Sequence, residues 1–355
     1  MAANCSTARV RRQTYVRYVT PRGRGRTMND GYARAITYLR LSVTERCNLR
    51  CKYCMPDGVA GRVSREEGLN AEELAQVVQA AVAVGIRKVR LTGGEPTLRS
   101  DIVEIVRRIS AITGVEELVM TTNGTRLGAL AGALATAGLR RVNVHLDSLD
   151  AARLRQLCGV DCRDRILDGL AAAERHGLAP VKVNMVVVRG YNEQDAIELA
   201  RLTRERAWQV RFIELMPLGE PAAFALAHYV SSQETRESIE RTLGKLSPCA
   251  EGDVIGGAPL YRLPGGRGSL GFISPVSHAY CDTCNHIRVT ADGCIRPCLL
   301  LEHAEPFDLR AAVRNGGSLD DLTELFRAAI GGKPRRSQLD AGIYPADRPM
   351  VAIGG

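Results

Sequence analysis

Three features are missing from this sequence of 355 residues, and each absence excludes a class of protein. No apolar run is long enough to span a bilayer, so no transmembrane protein is predicted. The N-terminus lacks the apolar core of a secretory signal, so the eleven cysteines are not expected to form an exported disulfide scaffold. The phosphate-binding P-loop is also missing, which excludes the motor-type GTPases. The remaining expectation is a cytoplasmic protein whose reduced cysteines bind metal.

Acidic residues are absent from residues 1–27, which contain seven arginines. The formal net charge of +9 is therefore misleading, because removing these seven charges leaves about +2 for the rest of the chain. A basic tail can bind nucleic acid or an anionic membrane. An organelle transit peptide has a similar composition. We expect residues 1–27 to be a disordered extension or the product of an upstream start codon, with Met28 as the alternative start.

Three cysteines, Cys47, Cys51 and Cys54, follow an apolar stretch with the spacing C-x3-C-x2-C. A cubane iron–sulfur cluster usually takes four cysteine ligands, so three would leave one iron open for a small molecule. A zinc site is the alternative that the spacing alone leaves open.

This spacing, with Tyr53 before the third cysteine, resembles the signature of the radical S-adenosylmethionine (SAM) enzymes. Later motifs occur in the order that resembles one family within them, the GTP 3′,8-cyclases of molybdenum-cofactor biosynthesis. The resemblance runs from about Met28 to the last residue. Its further motifs are Thr92–Pro96, Thr121–Gly124, Val142–Asp150, Phe212–Pro217, Cys281–Asn285, Thr290–Gly293, Arg296–Leu299 and the final Gly354-Gly355.

Apolar runs rich in β-formers alternate with amphipathic helical stretches, which indicates parallel βαβ units. The predicted strands are Ile36–Val43, Lys88–Leu91, Glu117–Thr121, Arg141–Leu146, Val181–Val188 and Val210–Leu215. Together with the resemblance, they predict an α/β fold: a partial (βα)6 TIM-like barrel with a smaller C-terminal α+β module that carries a second cluster. We expect the barrel over residues 28–222 and the auxiliary-cluster module, with its Gly-Gly tail, over residues 223–355. In parallel barrels the chemistry gathers at the carboxyl ends of the strands.

The resemblance implies a [4Fe-4S] cluster on Cys47, Cys51 and Cys54, with SAM bound at its open iron. It places further SAM contacts at Tyr53, Gly94, His145 and Met216. His145 departs from the family, which usually has serine there. Glu95 is a candidate acceptor for the SAM amino group, and Gly93-Gly94 would let the backbone come close to the cofactor.

A second cysteine set follows in the C-terminal part. The family pattern implies another [4Fe-4S] cluster on Cys281, Cys284 and Cys298, with an iron free to meet the guanine base. Cys294 lies nearby in sequence, and a four-sulfur zinc site or a fully ligated cluster remains an alternative.

A triphosphate needs converging cations, and the charges of Arg40 and Arg90 within apolar strands would be costly without a partner. The resemblance places GTP contacts at Arg40, Arg90, Thr121, Lys182, His286, Ile287 and Arg288. His286 departs from the Arg-x-Arg pattern of the family, and a neutral imidazole weakens an anion contact. Gly354 and Gly355 are implied to reach the active site as a catalytic tail.

The resemblance thus implies a cytoplasmic lyase that binds GTP and converts it to 3′,8-cyclo-7,8-dihydroguanosine 5′-triphosphate. Its expected partners are a reducing electron donor and the downstream cyclic pyranopterin monophosphate synthase. Neither nucleic acid nor membrane is expected, and a homodimer is allowed. One alternative is another radical SAM enzyme with an auxiliary cluster, such as a peptide modifier. The other is a zinc protein that binds nucleic acid, which leaves the barrel pattern unexplained.

Overall fold

The computed structural model describes residues 27–55, 68–219, 221–249, 254–255, 258–301, 307–344 and 350–353. The expected extension before Met28 lies almost wholly outside these residues. No helix in the described part of the chain is both long and apolar enough to cross a membrane.

Six parallel strands form the centre of the fold and lie side by side in chain order. They are β1 (Tyr38–Ser42), β2 (Lys88–Thr92), β3 (Glu117–Thr122), β4 (Arg141–His145), β5 (Lys182–Val187) and β6 (Gln209–Glu214). Each predicted strand is present, with ends that differ by at most two residues from the expectation. The repeated βαβ pattern is therefore confirmed.

Helices connect these strands: α1 (Ala71–Ala83), α2 (Ile102–Ser110), α3 (Leu127–Thr136), α4 (Ala151–Cys158), α5 (Arg163–Arg175) and α6 (Asp195–Arg201). Asn70 and Glu73 form a capping box at the start of α1, because each side chain bonds the backbone of the other. Gly85 and Gly138 follow α1 and α3 with positive φ, which glycine adopts at little cost.

In the described stretches after β6, the C-terminal part adds five helices and seven strands. The helices are α7 (Ala222–Ala227), α8 (Ser232–Leu243), α9 (Leu309–Arg314), α10 (Leu319–Gly331) and α11 (Met350–Ile353). The strands are β7 (Ser247–Pro248), β8 (Val254–Ile255), β9 (Ala258–Arg262), β10 (Ser269–Ile273), β11 (His286–Val289), β12 (Cys294–Arg296) and β13 (Phe307–Asp308).

The C-terminal strands extend the central sheet at both of its edges. β11 pairs in parallel with β1, and β10 pairs in parallel with β6. The resulting order is β13-β12-β11-β1-β2-β3-β4-β5-β6-β10-β9-β7, with β8 paired to β9. The expected smaller C-terminal α+β module is present, and its strands continue the sheet of the partial barrel. The expected boundary between residues 222 and 223 separates two parts that share this one sheet.

Apolar and polar side chains alternate along the central strands, so the sheet has one hydrophobic face and one charged face. Leu39 and Leu41 of β1, Val89 of β2 and Phe212 of β6 are almost completely buried in the main hydrophobic core, which also contains apolar residues of α1 to α6. The alternate positions carry Arg40, Arg90 and other polar groups. The interior of the partial barrel is therefore a polar cavity wall and not a second hydrophobic core.

Candidate active site

The first cysteine loop leaves the carboxyl end of β1 and holds three free thiols. Cys47 Sγ accepts a hydrogen bond from Leu49 N–H at 3.5 Å and lies 3.9 Å from Asn123 Nδ2. Cys54 Sγ accepts from the backbone N–H of Val351, near the end of the chain. The structure thus brings α11 to the same loop as the three cysteines.

Two of these thiols, Cys47 and Cys54, are buried enough to favour the protonated form in the absence of a metal. Burial raises the pKa of Cys47 to about 11 and raises the pKa of Cys54 well above its usual value. A bound metal would replace those protons and stabilise the thiolates. Three cysteines fit a cubane cluster with one open iron.

A single metal ion and a cubane cluster require different arrangements of their sulfur ligands. In the described part of the chain, no three Cys, His, Asp or Glu side chains are grouped closely enough to hold one metal ion. A zinc ion needs its sulfur ligands about 2.3 Å from one centre. Each cysteine of a cubane binds a different iron, so its sulfurs lie farther apart.

Gly93 and Gly94, which follow β2, lie so close to the backbone of the cysteine loop that a side chain would not fit at either position. A Cβ on Gly93 would lie 2.3 Å from Thr44 O, and one on Gly94 would lie 2.3 Å from Arg46 O. Gly94 N–H also donates to Thr44 O at 2.7 Å. The expected close approach thus exists, but it is an approach to the cysteine loop itself. The glycines fix the position of the loop that carries Cys47.

Glu95 also differs from the expectation. It is completely buried, and its carboxylate accepts from Thr122 Oγ1 at 2.7 Å, Asn123 N–H at 2.6 Å and Thr97 N–H at 3.0 Å. Burial raises its pKa despite these donors. Glu95 therefore ties the turn after β2 to the end of β3, and its burial leaves no exposed oxygen for a ligand.

Tyr53 and His145 lie together beside the cysteine loop, as two predicted SAM contacts would. Tyr53 Oη lies 2.6 Å from His145 Nε2 and donates to Asp147 Oδ2 at 2.6 Å. His145 Nε2 also lies 2.9 Å from Asp147 Oδ1. Burial opposes protonation of His145, but the Asp147 carboxylate outweighs it and raises the pKa. His145 is thus an imidazole fixed in a polar triad with Tyr53 and Asp147.

The cationic interior is formed by side chains from neighbouring strands. Arg90 bonds Tyr38 Oη and donates to Thr121 Oγ1 at 3.1 Å. The amide of Asn143, in the orientation that satisfies its neighbours, accepts from Arg90 and from Arg211 Nη2 at 2.9 Å. After burial, nearby cations are a cause of the lowered pKa values of Arg40, Lys182 and Arg211, which agrees with their proximity to one another and to Arg90.

These cations have too few carboxylates to neutralise them. Glu117 pairs with Lys88 and Arg141, whose hydrogen bonds outweigh burial and lower the pKa of Glu117 to about 2. Within the described residues, no carboxylate pairs with Arg90, Lys182 or Arg211, and Arg211 Nε is buried without a hydrogen-bond partner. Arg211 is only 5 % exposed. Buried, uncompensated cations are costly unless a ligand supplies the missing negative charge.

The shifted pKa values are consistent with an anion site. Burial and then Arg288 lower the pKa of Arg40 to about 9, and burial with nearby cations lowers the pKa of Lys182 to about 7. Burial and Arg288 also lower the pKa of His286 well below its usual value, so its imidazole is neutral. An anion would raise all three pKa values by favouring the protonated forms.

The second cysteine set converges at the amino end of β11. Cys281 and Cys284 directly precede this strand, and Cys298 follows β12, which runs antiparallel to it. Lys333 Nζ donates to His286 O at 3.0 Å and to Pro297 O at 2.6 Å, which joins the two segments. Cys294 begins β12 and therefore lies at the opposite end of that strand from Cys298.

The cations lie between the two cysteine sets. β1 and β11 are parallel, with Tyr38 opposite His286 and Arg40 opposite Arg288. The second set precedes β11, whereas the first set follows β1. The length of β1, about 13 Å, thus separates the two sets along the strand direction. A ligand bound by the cations could contact both.

Not every predicted residue has its side chain in this interior. Ile287 is completely buried and alternates with His286 and Arg288, so it faces the apolar core. Only its backbone could contact a ligand. Met216 follows β6 and is half-buried. Gly354 and Gly355 lie outside the described residues. The prediction missed Arg211, although a buried-looking charge in an apolar strand is the same signal that singled out Arg40 and Arg90.

Comparisons with known proteins agree with this architecture. Residues 41–203 match the radical SAM superfamily, and residues 208–339 match the family described as Molybdenum Cofactor Synthesis C. The crystal structure of Streptococcus suis SuiB bound to precursor peptide SuiA superposes on this chain with a TM-score of 0.56 at 16% sequence identity. The superposition covers 74% of this chain and 60% of SuiB, and it shows the fold alone.

The fold and the cysteine loop define a radical SAM protein, a class that holds a [4Fe-4S] cluster and SAM. Two curated relatives, similar over nearly the whole chain, show which family within this class the chain resembles. The GTP 3′,8-cyclase of Moorella thermoacetica is 42% identical over 92% of this chain and all of its own length. That of Thermodesulfovibrio yellowstonii is 41% identical with the same coverage. The chain belongs to the GTP 3′,8-cyclase family.

Proposed function

We propose that this protein converts GTP to 3′,8-cyclo-7,8-dihydroguanosine 5′-triphosphate, the first step of molybdenum-cofactor biosynthesis. The observation that carries the proposal is the set of buried cations between two cysteine sets, where Arg90, Lys182 and Arg211 have no carboxylate partner among the described residues. A nucleoside triphosphate supplies the missing charge at one end and a base at the other.

The triphosphate is held by Arg90, Lys182 and Arg211, with Arg40, Arg288 and Thr121 completing the site. Guanidinium groups bind phosphate oxygens with two parallel hydrogen bonds, while the lysine acts as a point charge. Asn143 and Tyr38 hold Arg90 in place before the ligand arrives. Such preorganisation reduces the entropy lost on binding.

Cys47, Cys51 and Cys54 would hold the first cluster. When bound, the cluster and SAM supply the one-electron chemistry that removes a ribose hydrogen. Tyr53, Gly94, His145 and Met216 are the proposed SAM-contacting residues. Because Tyr53 and His145 are hydrogen-bonded to buried Asp147, they are held in fixed positions at the edge of the site.

Cys281, Cys284 and Cys298 would hold a second [4Fe-4S] cluster that meets the guanine base. Cys294 is not a proposed ligand, because it lies at the far end of β12. His286 is neutral and can donate or accept one hydrogen bond, but it adds no charge to the anion site. Lys333 supports the set by joining the segments before and after it.

The Gly-Gly tail is proposed to enter the site between the clusters. The supporting contact is the bond from Val351 N–H to Cys54 Sγ, three residues before Gly354. Glycines fit a narrow channel because they have no side chain. The covered site would also exclude water from the reacting carbons.

GTP affinity should fall as the pH rises above 7. Lys182 has a pKa of about 7 without ligand, and the bound anion raises it, so binding takes up a proton. Its protonated fraction falls from about one half at pH 7 to about one tenth at pH 8, which weakens binding about five-fold. Calorimetric titrations at both pH values measure this change. The Lys182→Met variant should bind GTP more weakly at both pH values, and its affinity should change little between pH 7 and pH 8. If its affinity falls as much as that of the parent protein, Lys182 is not the group that takes up the proton.

The function is tested by anaerobic incubation of reconstituted protein with GTP, SAM and dithionite. The expected product has the mass of GTP but a different chromatographic retention, and it forms with 5′-deoxyadenosine. If GTP does not stimulate SAM cleavage and no new nucleotide forms, the proposed reaction is wrong and the protein catalyses another radical SAM reaction. Peptide modification is the first such alternative.

The remaining assignments follow from this function. We propose a cytoplasmic enzyme that takes electrons from a reducing donor and passes its product to cyclic pyranopterin monophosphate synthase. A homodimer is compatible with the proposal, and neither nucleic acid nor membrane is required. We keep residues 28–222 and 223–355 as the two functional parts, with residues 1–27 as a dispensable extension.

A further inference from the structure

Cys158 is a cysteine outside both ligand sets, and it lies against Cys51. It is the last residue of α4 and is only 2 % exposed. Its thiol lies within hydrogen-bonding distance of the Cys51 sulfur.

The end of α4 is fixed on the cysteine loop by backbone bonds on either side of Cys51. Arg50 N–H donates to Cys158 O at 2.9 Å, and Lys52 N–H donates to Leu157 O at 3.0 Å. These carbonyls belong to the last turn of the helix, where acceptors lack intrahelical partners. Gly159 then turns away with a positive φ, and a Cβ there would lie 3.2 Å from Arg50 Cβ. The position of Cys158 beside Cys51 is therefore set by the backbone.

Asp147 is the competing acceptor for the single thiol proton. Its Oδ2 lies 3.9 Å from Cys158 Sγ but already accepts from Tyr53 Oη at 2.6 Å. Its Oδ1 accepts from Val186 N–H at 2.9 Å. Asp147 is thus well supplied with donors. The Cys51 sulfur is the other acceptor within reach of this proton, and as an iron-bound thiolate it would carry negative charge.

We propose that the Cys158 thiol donates a hydrogen bond to the Cys51 sulfur and raises the reduction potential of the first cluster. A donor to a ligating sulfur stabilises the reduced state more, because that state carries more negative charge. This inference rests on the proposed cluster at Cys47, Cys51 and Cys54.

The test is potentiometric titration followed by electron paramagnetic resonance. The signal that changes when SAM is added identifies the first cluster, because SAM is proposed to bind there. Cys158→Ala should lower its midpoint potential, because the donor is lost. Cys158→Ser should keep a potential close to the parent value, because the hydroxyl still donates. Cys162→Ala is the matched control, since Cys162 is also buried but precedes a different helix, α5, as its N-cap.

The outcomes separate this inference from the function. An unchanged potential in an iron-loaded Cys158→Ala protein would overturn the hydrogen bond to Cys51. Equal decreases for alanine and serine would also overturn it, because they would indicate a packing effect. If the alanine variant does not bind iron, Cys158→Val fills the space without a donor and should show the same decrease. A parent protein without any SAM-sensitive signal would overturn both the cluster and this inference.

Discussion

Replacing Arg211 by methionine should weaken GTP binding roughly 30- to 150-fold and also raise the melting temperature of the ligand-free protein. The loss of affinity corresponds to about 2–3 kcal/mol, the usual contribution of hydrogen bonds to a charged group. The increase in stability has a separate cause. Arg211 is buried among Arg90, Arg141 and Arg40, and burial with these charges lowers its pKa well below its usual value. An apolar side chain of similar length removes that repulsion, which can stabilise a fold by about 1 kcal/mol or more.

The opposite signs make this result informative. If a residue only supports the fold, its replacement should lower both GTP affinity and thermal stability. If it is a cation that binds the ligand, its replacement should lower GTP affinity but raise thermal stability. Calorimetric titration with GTP and thermal unfolding of the same preparation measure both quantities. Arg107→Met is the control, because Arg107 is exposed on α2 and pairs with Glu104. Unchanged GTP affinity in Arg211→Met would contradict the proposed triphosphate site.

Replacing Cys281 by serine should abolish cyclisation and leave SAM cleavage intact. The two cysteine sets lie at opposite ends of β1 and β11, so losing a ligand of the second should not disturb the first. We expect the cyclised product to fall by at least about three orders of magnitude, as when a residue acting only in the reaction is removed. Quantifying 5′-deoxyadenosine and cyclised nucleotide in one reaction gives both values.

Cys294→Ser is the matched control for this change. Cys294 is four residues from Cys298 in sequence, but it begins β12 and its carbonyl accepts from Thr290 N–H at 2.9 Å. It should retain the iron content and cyclisation of the parent. If Cys294→Ser loses iron and product as Cys281→Ser does, the second site has four cysteine ligands. Loss of SAM cleavage in Cys281→Ser would contradict the division of labour between the two sets.

Local signals made much of the barrel predictable. Strand β1 alternates apolar and polar residues, and Asn70 with Glu73 marks the start of α1 as a capping box. Helix α4 was not predicted, because its N-cap Asp150 belongs to a motif that was interpreted for function. It is also only 8 residues long, which gives its periodicity little length over which to be recognised. Local patterns thus identify long amphipathic elements better than short polar ones.

Long-range pairing was not predictable from the sequence. Nothing near residue 286 indicates that β11 pairs with β1, about 250 residues earlier, because register depends on the whole sheet. The placement of Arg40 beside Arg288 was therefore expected only from the family resemblance. The role of Gly93 and Gly94 was missed for the same reason, since the backbone they approach is separated in sequence. Glu95 resembled a free ligand until its three partners from neighbouring segments were visible.

The most direct test of the account is turnover of GTP deuterated at the ribose 3′ position. The protein is reconstituted without oxygen, its iron is counted, and it is incubated with SAM and dithionite. We predict about eight irons per chain, since two cubane clusters bind to the two cysteine sets. We also predict deuterium in 5′-deoxyadenosine together with a cyclised nucleotide. Deuterium that stays in GTP while SAM is cleaved would contradict the proposed reaction.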